Sequence, residues 1–221
     1  MKRNTLLITL IVTVSAISLA PAQTINWSAI QNHQKHFINV NAAWDYAATI
    51  GLGYGYKLKT KMPSMLAAHI SIPAGEDLTD DFKTKIGYQV RLFQAGNLQA
   101  SVIASGIFRQ FHSNLVTLQN FGSEFKGAAG FYKRKWFIAG EFGFDKAIVT
   151  RIKSGNANDD YQSGRDGWYV PTGGNFQYGL QTGYSSKDLD VYLKAGKILD
   201  QYLKTSARVP FYAELGVNMR F

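Results

Sequence analysis

The stretch Ala48-Thr49-Ile50-Gly51-Leu52-Gly53-Tyr54-Gly55-Tyr56-Lys57-Leu58 alternates between two kinds of residue. Its even-numbered positions are apolar or aromatic, and its odd-numbered positions are small or polar. Because successive side chains of a β-strand point to opposite faces, this period of two predicts a strand with one apolar and one polar face. A strand of a water-soluble sandwich alternates in the same way, so this stretch alone leaves both kinds of sheet open.

The same alternation recurs in further segments down to the C-terminus. They cover residues 66–72, 85–92, 98–105, 124–131, 136–145, 176–184, 189–195 and 211–221. With their flanks the segments reach about 10–13 residues, which exceeds the ~5–6 of most soluble strands and fits the ~9–11 of a tilted membrane strand. This length favours strands that cross a bilayer.

The connections between these segments alternate in length and charge. Short basic turns near 59–62, 95–97, 133–135 and 185–188 alternate with longer, acidic loops near 73–82, 112–120, 154–174 and 200–208. Bacterial outer-membrane barrels have short periplasmic turns and longer extracellular loops, and a closed barrel satisfies every backbone group in hydrocarbon. The sequence therefore predicts an all-β, antiparallel, transmembrane up-and-down barrel with apolar residues facing lipid and polar residues facing the lumen.

The number of strands follows from parity. Nine segments lie between Ala48 and Phe221, whereas bacterial single-chain barrels have an even number of strands. A tenth is available upstream, where Ile38, Val40, Ala42, Trp44 and Tyr46 alternate with polar or small residues. One uninterrupted strand from 37 to 58 would be about 70 Å long, more than any bilayer. We predict ten strands, with eight as the alternative.

The first residues have the features of a secretory signal peptide. A basic start at Lys2 and Arg3 is followed by an apolar run from Leu6 to Ala20 and by Ala20-Pro21-Ala22, which fits a cleavage site near Ala22. The apolar run is shorter than the ~20 residues of a membrane-spanning helix. We predict a leader over 1–22, a periplasmic N-terminal segment over 23–36, with His33 and His36 as linker residues, and a barrel over 37–221.

Composition excludes several other classes of protein. The chain contains no cysteine, so disulfide frameworks and zinc–thiolate sites are excluded. Its formal charge of +9 would suit a nucleic-acid partner, but an exported chain rarely meets one, and the basic residues do not gather on a helix. We predict no nucleic-acid partner and no cofactor.

The C-terminal strand resembles the insertion signal of bacterial outer-membrane barrel proteins, including the small OmpA- and OmpW-like barrels. That signal has apolar residues at alternate positions and a terminal Phe, as in Phe211, Leu215, Val217, Met219 and Phe221. Met219 departs from the aromatic residue often found at that place. The resemblance implies periplasmic chaperones, the barrel assembly machinery, and outer-membrane lipid and lipopolysaccharide as partners. It implies an architecture and not an activity.

The alternation of inward and outward positions along each strand also predicts the residues that line the lumen. The charged residues expected inside are His69, Arg91, Arg109, Glu124, Lys126, Glu141, Asp145, Lys194 and Glu214. They form either ion pairs that fill a narrow lumen or a porin-like path for small solutes, since buried charges must be paired. Gly51, Gly53 and Gly55 face the same way and leave a groove, filled either by side chains from across the lumen or by water.

An enzymatic role is the alternative. His112-Ser113-Asn114, with Glu124 on the next strand, faintly resembles the motif of barrels that hydrolyse lipid A acyl chains. Adjacent residues of an extended strand face opposite sides, so this His and Ser cannot share a proton, and we predict no catalytic residues. A barrel protease or a cation site would need acidic residues near the rim, and the chain offers Asp80-Asp81 and Asp159-Asp160. We interpret these as solvated loop residues and predict no metal site.

Two groups of aromatic residues complete the sequence predictions. Trp44, Tyr54, Trp136 and Tyr184 are expected in the girdles at the membrane interfaces. The cluster Gly167-Trp168-Tyr169-Val170-Pro171 in the longest loop either contacts an envelope protein or folds back as a lid.

Overall fold

A computed structural model describes residues 24–44, 47–74, 81–155, 166–171, 173–204 and 210–221. The predicted leader, most of the acidic stretch 75–81 and the pair Asp159-Asp160 lie outside the described residues. The strands are β1 (His36–Trp44), β2 (Ala48–Leu58), β3 (Ser64–Pro73), β4 (Asp81–Ala95), β5 (Leu98–His112), β6 (Val116–Tyr132), β7 (Trp136–Ser154), β8 (Gly167–Tyr169), β9 (Gly174–Ser185), β10 (Leu189–Asp200) and β11 (Phe211–Arg220). Within these ranges, no helix is long and apolar enough to cross a membrane.

The strands close into a barrel. Each pairs antiparallel with its sequence neighbours, β7 pairs with β9, and β1 pairs with β11 to complete the ring. Strand β8 is a three-residue exception that pairs only with the upper part of β7, so ten strands form the barrel wall. The predicted all-β up-and-down barrel of ten strands is confirmed, and the eight-stranded alternative is wrong.

The two ends of the barrel differ. At the end that we call the turn end, connections of two to five residues join β2 to β3, β4 to β5, β6 to β7 and β9 to β10. The opposite loop end holds the longer connections, with two exceptions. Only residues 45–47 lie between β1 and β2. The loop predicted near 112–120 is only residues 113–115, because His112 pairs with Thr117 and both strands continue above the predicted span. Polar side chains pair across these upper strands, for example Gln119 with Gln110 at 3.2 Å, and they hide the alternation in the sequence.

The distribution of apolar residues is the reverse of that in a soluble protein. Large apolar side chains lie on the outer surface, where Leu52 is 56% exposed and Leu180 is 63% exposed. Polar side chains such as Asn39, Gln99 and Asn218 are buried inside. Buried apolar residues are few in the described part of the chain, so the barrel has a polar interior and an apolar exterior.

The residues before β1 lie inside the barrel rather than beside it. Residues 24–35, which we call the plug segment, enter at the turn end and bond to the short turns there. Asn26 Nδ2 donates to the carbonyl of Lys133 at 2.7 Å, and Gln34 Nε2 donates to Asp188 Oδ1 at 2.8 Å. Of the stretch predicted to precede the barrel, residues 24–30 are therefore buried or half-buried within it, whereas Asn32 and His33 are exposed.

Apolar packing also holds the plug segment. Ile25 and Trp27 are buried and share one cluster with the wall residues Phe37, Met65 and Ala67. Thr24 lies higher in the lumen, where its carbonyl accepts a hydrogen bond from Asn218 Nδ2 at 2.7 Å. The plug segment therefore runs from the turn end towards the middle of the barrel.

Candidate functional site

The barrel interior contains two clusters of charged residues from opposite parts of the wall. In the first, Glu124 of β6 lies 2.7 Å from Lys85 of β4 and 3.1 Å from Lys126 of its own strand, measured from the same carboxylate oxygen to each ammonium. The Glu124 side chain is only 3% exposed. Two ammonium groups thus share one carboxylate oxygen.

The second cluster surrounds Glu214 of β11. Its carboxylate lies 3.5 Å from the ammonium of Lys194 and accepts hydrogen bonds from Tyr192 at 2.5 Å and from Asn41 at 3.3 Å. The Asn41 side chain also lies 3.2 Å from His69 Nε2. Strands β1, β3, β10 and β11 are tied together across the lumen by this network.

The remaining predicted lumen residues have separate positions. Glu141 accepts a hydrogen bond from the Tyr212 hydroxyl at 2.6 Å. Near the loop end, Arg109 donates two hydrogen bonds to Asp81, at 2.8 and 3.2 Å. Asp145 lines the cavity described below. Arg91 is half-buried near the turn end, where its backbone N–H donates to the Pro63 carbonyl.

Sequence reasoning missed several residues of these networks. They occupy inward positions of the strands and are Asn39, Asn41, Lys83, Lys85, Tyr192 and Tyr212. The strand parity that selected Glu124 also selects Lys85. The two tyrosines were missed because only charged side chains and glycines were selected for the lumen, whereas here each tyrosine hydroxyl donates to a carboxylate.

The glycine groove is occupied by side chains. Gly51, Gly53 and Gly55 are all buried, and a Cβ on Gly51 would collide with the side chains of Asn41 and His69. Gly55 stands opposite Phe37 in the β1–β2 register, and Phe37 belongs to the plug cluster. The absence of a side chain at Gly51 therefore leaves space for the Asn41–His69 pair, and Gly55 lies beside the plug segment.

The turn end is sealed by polar contacts. Asp190 and Arg220 form an ion pair at 3.3 Å in which both side chains are almost completely buried. Arg220 Nη2 also donates to the Ser186 carbonyl at 2.5 Å. Between this seal and the middle of the barrel, a space of about 20 Å³ remains beside Thr24 and Ile25. That volume is close to the space needed by one water molecule.

Towards the loop end, the described residues leave the lumen unfilled. A cavity of about 1000 Å³ occupies the upper lumen, and we call it the loop-end cavity. Its lining includes five basic and two acidic residues, namely Lys83, Lys85, Arg109, Lys126, Lys146, Glu124 and Asp145. The amide side chains of Asn120, Asn175 and Gln177 belong to the same lining. The lumen is therefore a cup with a polar, charged wall and a filled base.

The residues of the enzymatic alternative do not meet. His112 Nδ1 lies 2.7 Å from Thr117 Oγ1, and Ser113 Oγ donates to the Val116 carbonyl at 3.2 Å. Glu124 lies seven residues along β6 from Thr117, about 23 Å at the usual rise of a strand. Within the described ranges, no group of three or more His, Asp or Glu residues could hold a metal ion.

The aromatic cluster of the longest loop continues the barrel wall. Strand β8 pairs with β7, and the Trp168 ring lies 5.6 Å from the Arg151 guanidinium and 6.3 Å from the Phe121 ring. Just before β8, the backbone N–H of Ser154 donates to the Asp166 carboxylate at 2.7 Å, which holds the pKa of that carboxyl below its usual range. This arrangement favours an extension of the wall over a lid.

The predicted girdle and C-terminal residues lie on the outer face of their strands. Trp44, Trp136 and Tyr184 are exposed on the outer surface, as are four of the C-terminal residues, Phe211, Leu215, Met219 and Phe221, while Val217 is partly exposed. Tyr54 is half-buried, with its hydroxyl 2.5 Å from His36 Nδ1.

The C-terminal residue contacts the start of the first strand. The Phe221 ring stacks on His36 with a centroid distance of 5.5 Å, and its carbonyl accepts from the N–H groups of Lys35 and His36. These contacts fix the start of β1 and the base of the plug segment to the barrel seam.

Comparison with known proteins gives distant structural likenesses. No family model and no curated protein matches the sequence. Among solved structures, the N-terminal β-barrel domain of Pseudomonas aeruginosa OprF is 12% identical, with a TM-score of 0.44 over 86% of this chain and 100% of that one. The KdgM porin, also solved in complex with disordered oligogalacturonate, is 9% identical, with a TM-score of 0.45 over 84% and 99%.

Proposed function

We propose that this chain is an integral β-barrel of a bacterial outer membrane, closed at its turn end by the plug segment, with a structural or binding role. The observation that carries the proposal is the buried plug segment inside a barrel whose outer surface is apolar. A closed base favours a cup rather than a conducting channel. Such a cup would hold a ligand or have a structural role in the envelope. A narrow porin-like passage is the second candidate, and it requires the plug segment to move.

The outer surface supports the membrane location. An exposed face of large apolar side chains has no stable place in water, whereas lipid accommodates it, and every wall strand has a partner on both sides. On this proposal the short turns face the periplasm and the longer loops face outward. The outward face of the C-terminal strand would then be read by the barrel assembly machinery.

The first residues support removal of a leader. A basic start at Lys2 and Arg3 precedes an apolar run from Leu6 to Ala20 and small residues up to Ala22. We propose that the leader is cleaved near Ala22 and that the plug segment then occupies the lumen.

Conductance of the purified protein in planar bilayers tests the closed base. We expect the wild-type barrel to be silent and a variant lacking residues 24–34 to show discrete conductance steps, because the deletion removes the filling of the turn end. The matched control is a locked variant, in which a disulfide joins the plug segment to the barrel wall. The chain has no cysteine, and the Asn26 and Ser185 side chains lie 2.9 Å apart, so Asn26→Cys with Ser185→Cys permits one disulfide.

The outcomes separate the two candidates. The closed cup is supported if the wild type and the oxidised, locked variant show no conductance while the deletion variant shows conductance steps. Steps from the wild-type that disappear on oxidation of the locked variant and return on reduction support a gated passage. Steps from the oxidised, locked variant would contradict the role given to the plug segment.

The lipid A hydrolase alternative has no support in the geometry, because His112 and Ser113 contact other groups and Glu124 lies about 23 Å along β6 from Thr117. Mass spectrometry of lipid A from cells with and without the protein tests this directly. We expect the same acyl pattern in both, and loss of one acyl chain on expression would restore the enzymatic hypothesis.

A further inference from the structure

We propose that the loop-end cavity binds a small organic anion that carries a phosphate group together with hydroxyl groups. The proposal deepens the proposed function, because it needs the closed base that turns the lumen into a cup. It rests on the charge, the hydrogen-bonding groups and the shape of the cavity wall.

The charge of the wall favours an anion. Five basic residues line the cavity against two acidic ones. Arg109 is paired with Asp81 at the rim, and Lys85 and Lys126 share the single carboxylate of Glu124. The lining retains an excess of positive charge even when Asp81 is counted with the acids, and a cleft with low-dielectric walls concentrates the field of that excess.

The positions of the basic groups suit one bound ligand. Lys83 and Lys85 are two residues apart on β4, so both face the lumen, and Lys126 reaches the same Glu124 from β6. The Lys126 side chain retains 25% exposure, so its ammonium can donate further hydrogen bonds. Ammonium groups bind phosphate and carboxylate oxygens through short, charge-assisted hydrogen bonds.

The uncharged part of the wall favours a ligand with hydroxyl groups. The side chains of Asn120, Thr150, Asn175 and Gln177 line the cavity beside the lysines. Amides and hydroxyls both donate and accept, which is the pairing that a polyhydroxylated molecule needs. A bare inorganic anion would leave most of a cavity of about 1000 Å³ to water.

The shape of the lumen favours binding over passage. Below the cavity the lumen narrows to a space of about 70 Å³ around His69, Lys194 and Glu214, and then to about 20 Å³ beside the plug segment. A ligand that enters from the loop end therefore leaves by the same end.

Isothermal titration of the purified protein in detergent tests the proposal with matched probes. Glucose 6-phosphate, glucose, glucosamine and inorganic phosphate share either the ring or the anion. We expect saturable binding of glucose 6-phosphate that weakens as sodium chloride is raised, with at least about tenfold weaker binding of the other three. Equal binding of glucose, equal binding of inorganic phosphate, or no binding of glucose 6-phosphate would overturn the proposal.

A pair of double variants locates the site. Lys83→Gln with Lys146→Gln removes two positive charges from the wall while keeping the ion pairs of Glu124, and we expect the affinity for glucose 6-phosphate to fall about tenfold or more. Lys59→Gln with Lys61→Gln makes the same change in net charge at exposed positions of the turn end, and its affinity should match the wild type. Equal losses in both would mean that net charge, not the cavity, attracts the ligand.

The failure of this inference is distinguishable from failure of the proposed function. A protein that runs faster on gels unboiled than boiled, and that is silent in planar bilayers, is a folded and closed barrel whether or not it binds a sugar phosphate. If such a protein gives no heat with glucose 6-phosphate, the anion proposal alone is wrong.

Discussion

At the scale of single residues, the polar interior depends on small residues as much as on charged ones. Gly51 faces inward beneath the Asn41–His69 contact, whereas Gly106 of β5 faces outward, and a Cβ at that position would have no heavy atom within 4 Å. Both glycines lie in barrel strands, but only the first leaves space that other side chains use. The two positions therefore form a natural matched pair.

Gly51→Ala is expected to destabilise the barrel by about 1–3 kcal/mol, because the added methyl group overlaps Asn41 and His69 and forces them apart. Gly106→Ala should leave the stability unchanged or raise it slightly, because the methyl group meets nothing and the unfolded chain loses freedom. Urea unfolding of both variants in detergent, followed by tryptophan fluorescence, measures the difference. Equal stabilities would contradict the filled groove.

The shared carboxylate gives a second prediction. Glu124→Gln is expected to cost about 3 kcal/mol of unfolding free energy, because Lys85 and Lys126 lose the charge that both of them contact. Adding Lys85→Met to Glu124→Gln should recover part of the loss, since one ammonium group no longer needs a partner. Lys61→Gln, in an exposed turn, is the control and should stay within about 0.5 kcal/mol of the wild type.

At the scale of elements, the plug segment behaves as a separate unit attached to the barrel. Its hydrogen bonds go to turn carbonyls and side chains at the turn end, and its apolar anchor is Trp27 in the cluster with Phe37 and Met65. The wall strands hold one another through their own ladders. The plug segment can therefore loosen without unfolding the barrel, since local stability differs across a structure.

Trp27→Ala is expected to give intermittent conductance steps in planar bilayers while the urea midpoint of the barrel changes little. The reason is that the substitution removes the largest apolar contact of the plug segment and none of the wall pairing. Trp136→Ala is the matched control, because that ring is 42% exposed on the outer surface, and this variant should remain silent. Silence of Trp27→Ala would mean that the polar bonds alone retain the plug.

At the scale of the whole molecule, the reversed distribution of apolar residues determines the environment in which the barrel is stable. A soluble barrel would tolerate a charge at an exposed outer position, because water solvates it. In a membrane the same charge is costly near the bilayer centre and cheap near the loops. Leu52, in the middle of β2, and Leu115, in the loop of residues 113–115, are 56% and 60% exposed and test the two cases.

Leu52→Arg is expected to lower the unfolding free energy in lipid vesicles by about 2–4 kcal/mol, whereas Leu115→Arg should change it by less than about 1 kcal/mol. Urea titration of the vesicle-inserted barrel, followed by the difference in gel mobility between boiled and unboiled samples, gives both values. Two small and equal changes would contradict the membrane location.

The barrel wall could be predicted from the order of residues alone. Alternation with a period of two is a local property, so neighbouring residues were enough to predict nine strands and their outward apolar faces, and the even strand number of bacterial barrels pointed to the tenth. The charges of Glu124, Lys194 and Glu214 lie inside, as the alternation predicts. The exceptions were the upper parts of β5 and β6, where polar cross-strand pairs obscure the pattern.

The contents of the lumen, by contrast, became visible only in three dimensions. Residues 24–35 carry no periodic pattern, and their burial depends on partners 107 positions away for Asn26 and 194 positions away for Thr24. The same is true of the Glu124 cluster in the cavity wall, because Lys85 of β4 reaches the carboxylate on β6 across the intervening strand β5. Contacts between distant parts of a chain leave no pattern in the local sequence. The reason is that the alternation along a strand is the same whether or not a residue has a partner on a distant part of the chain.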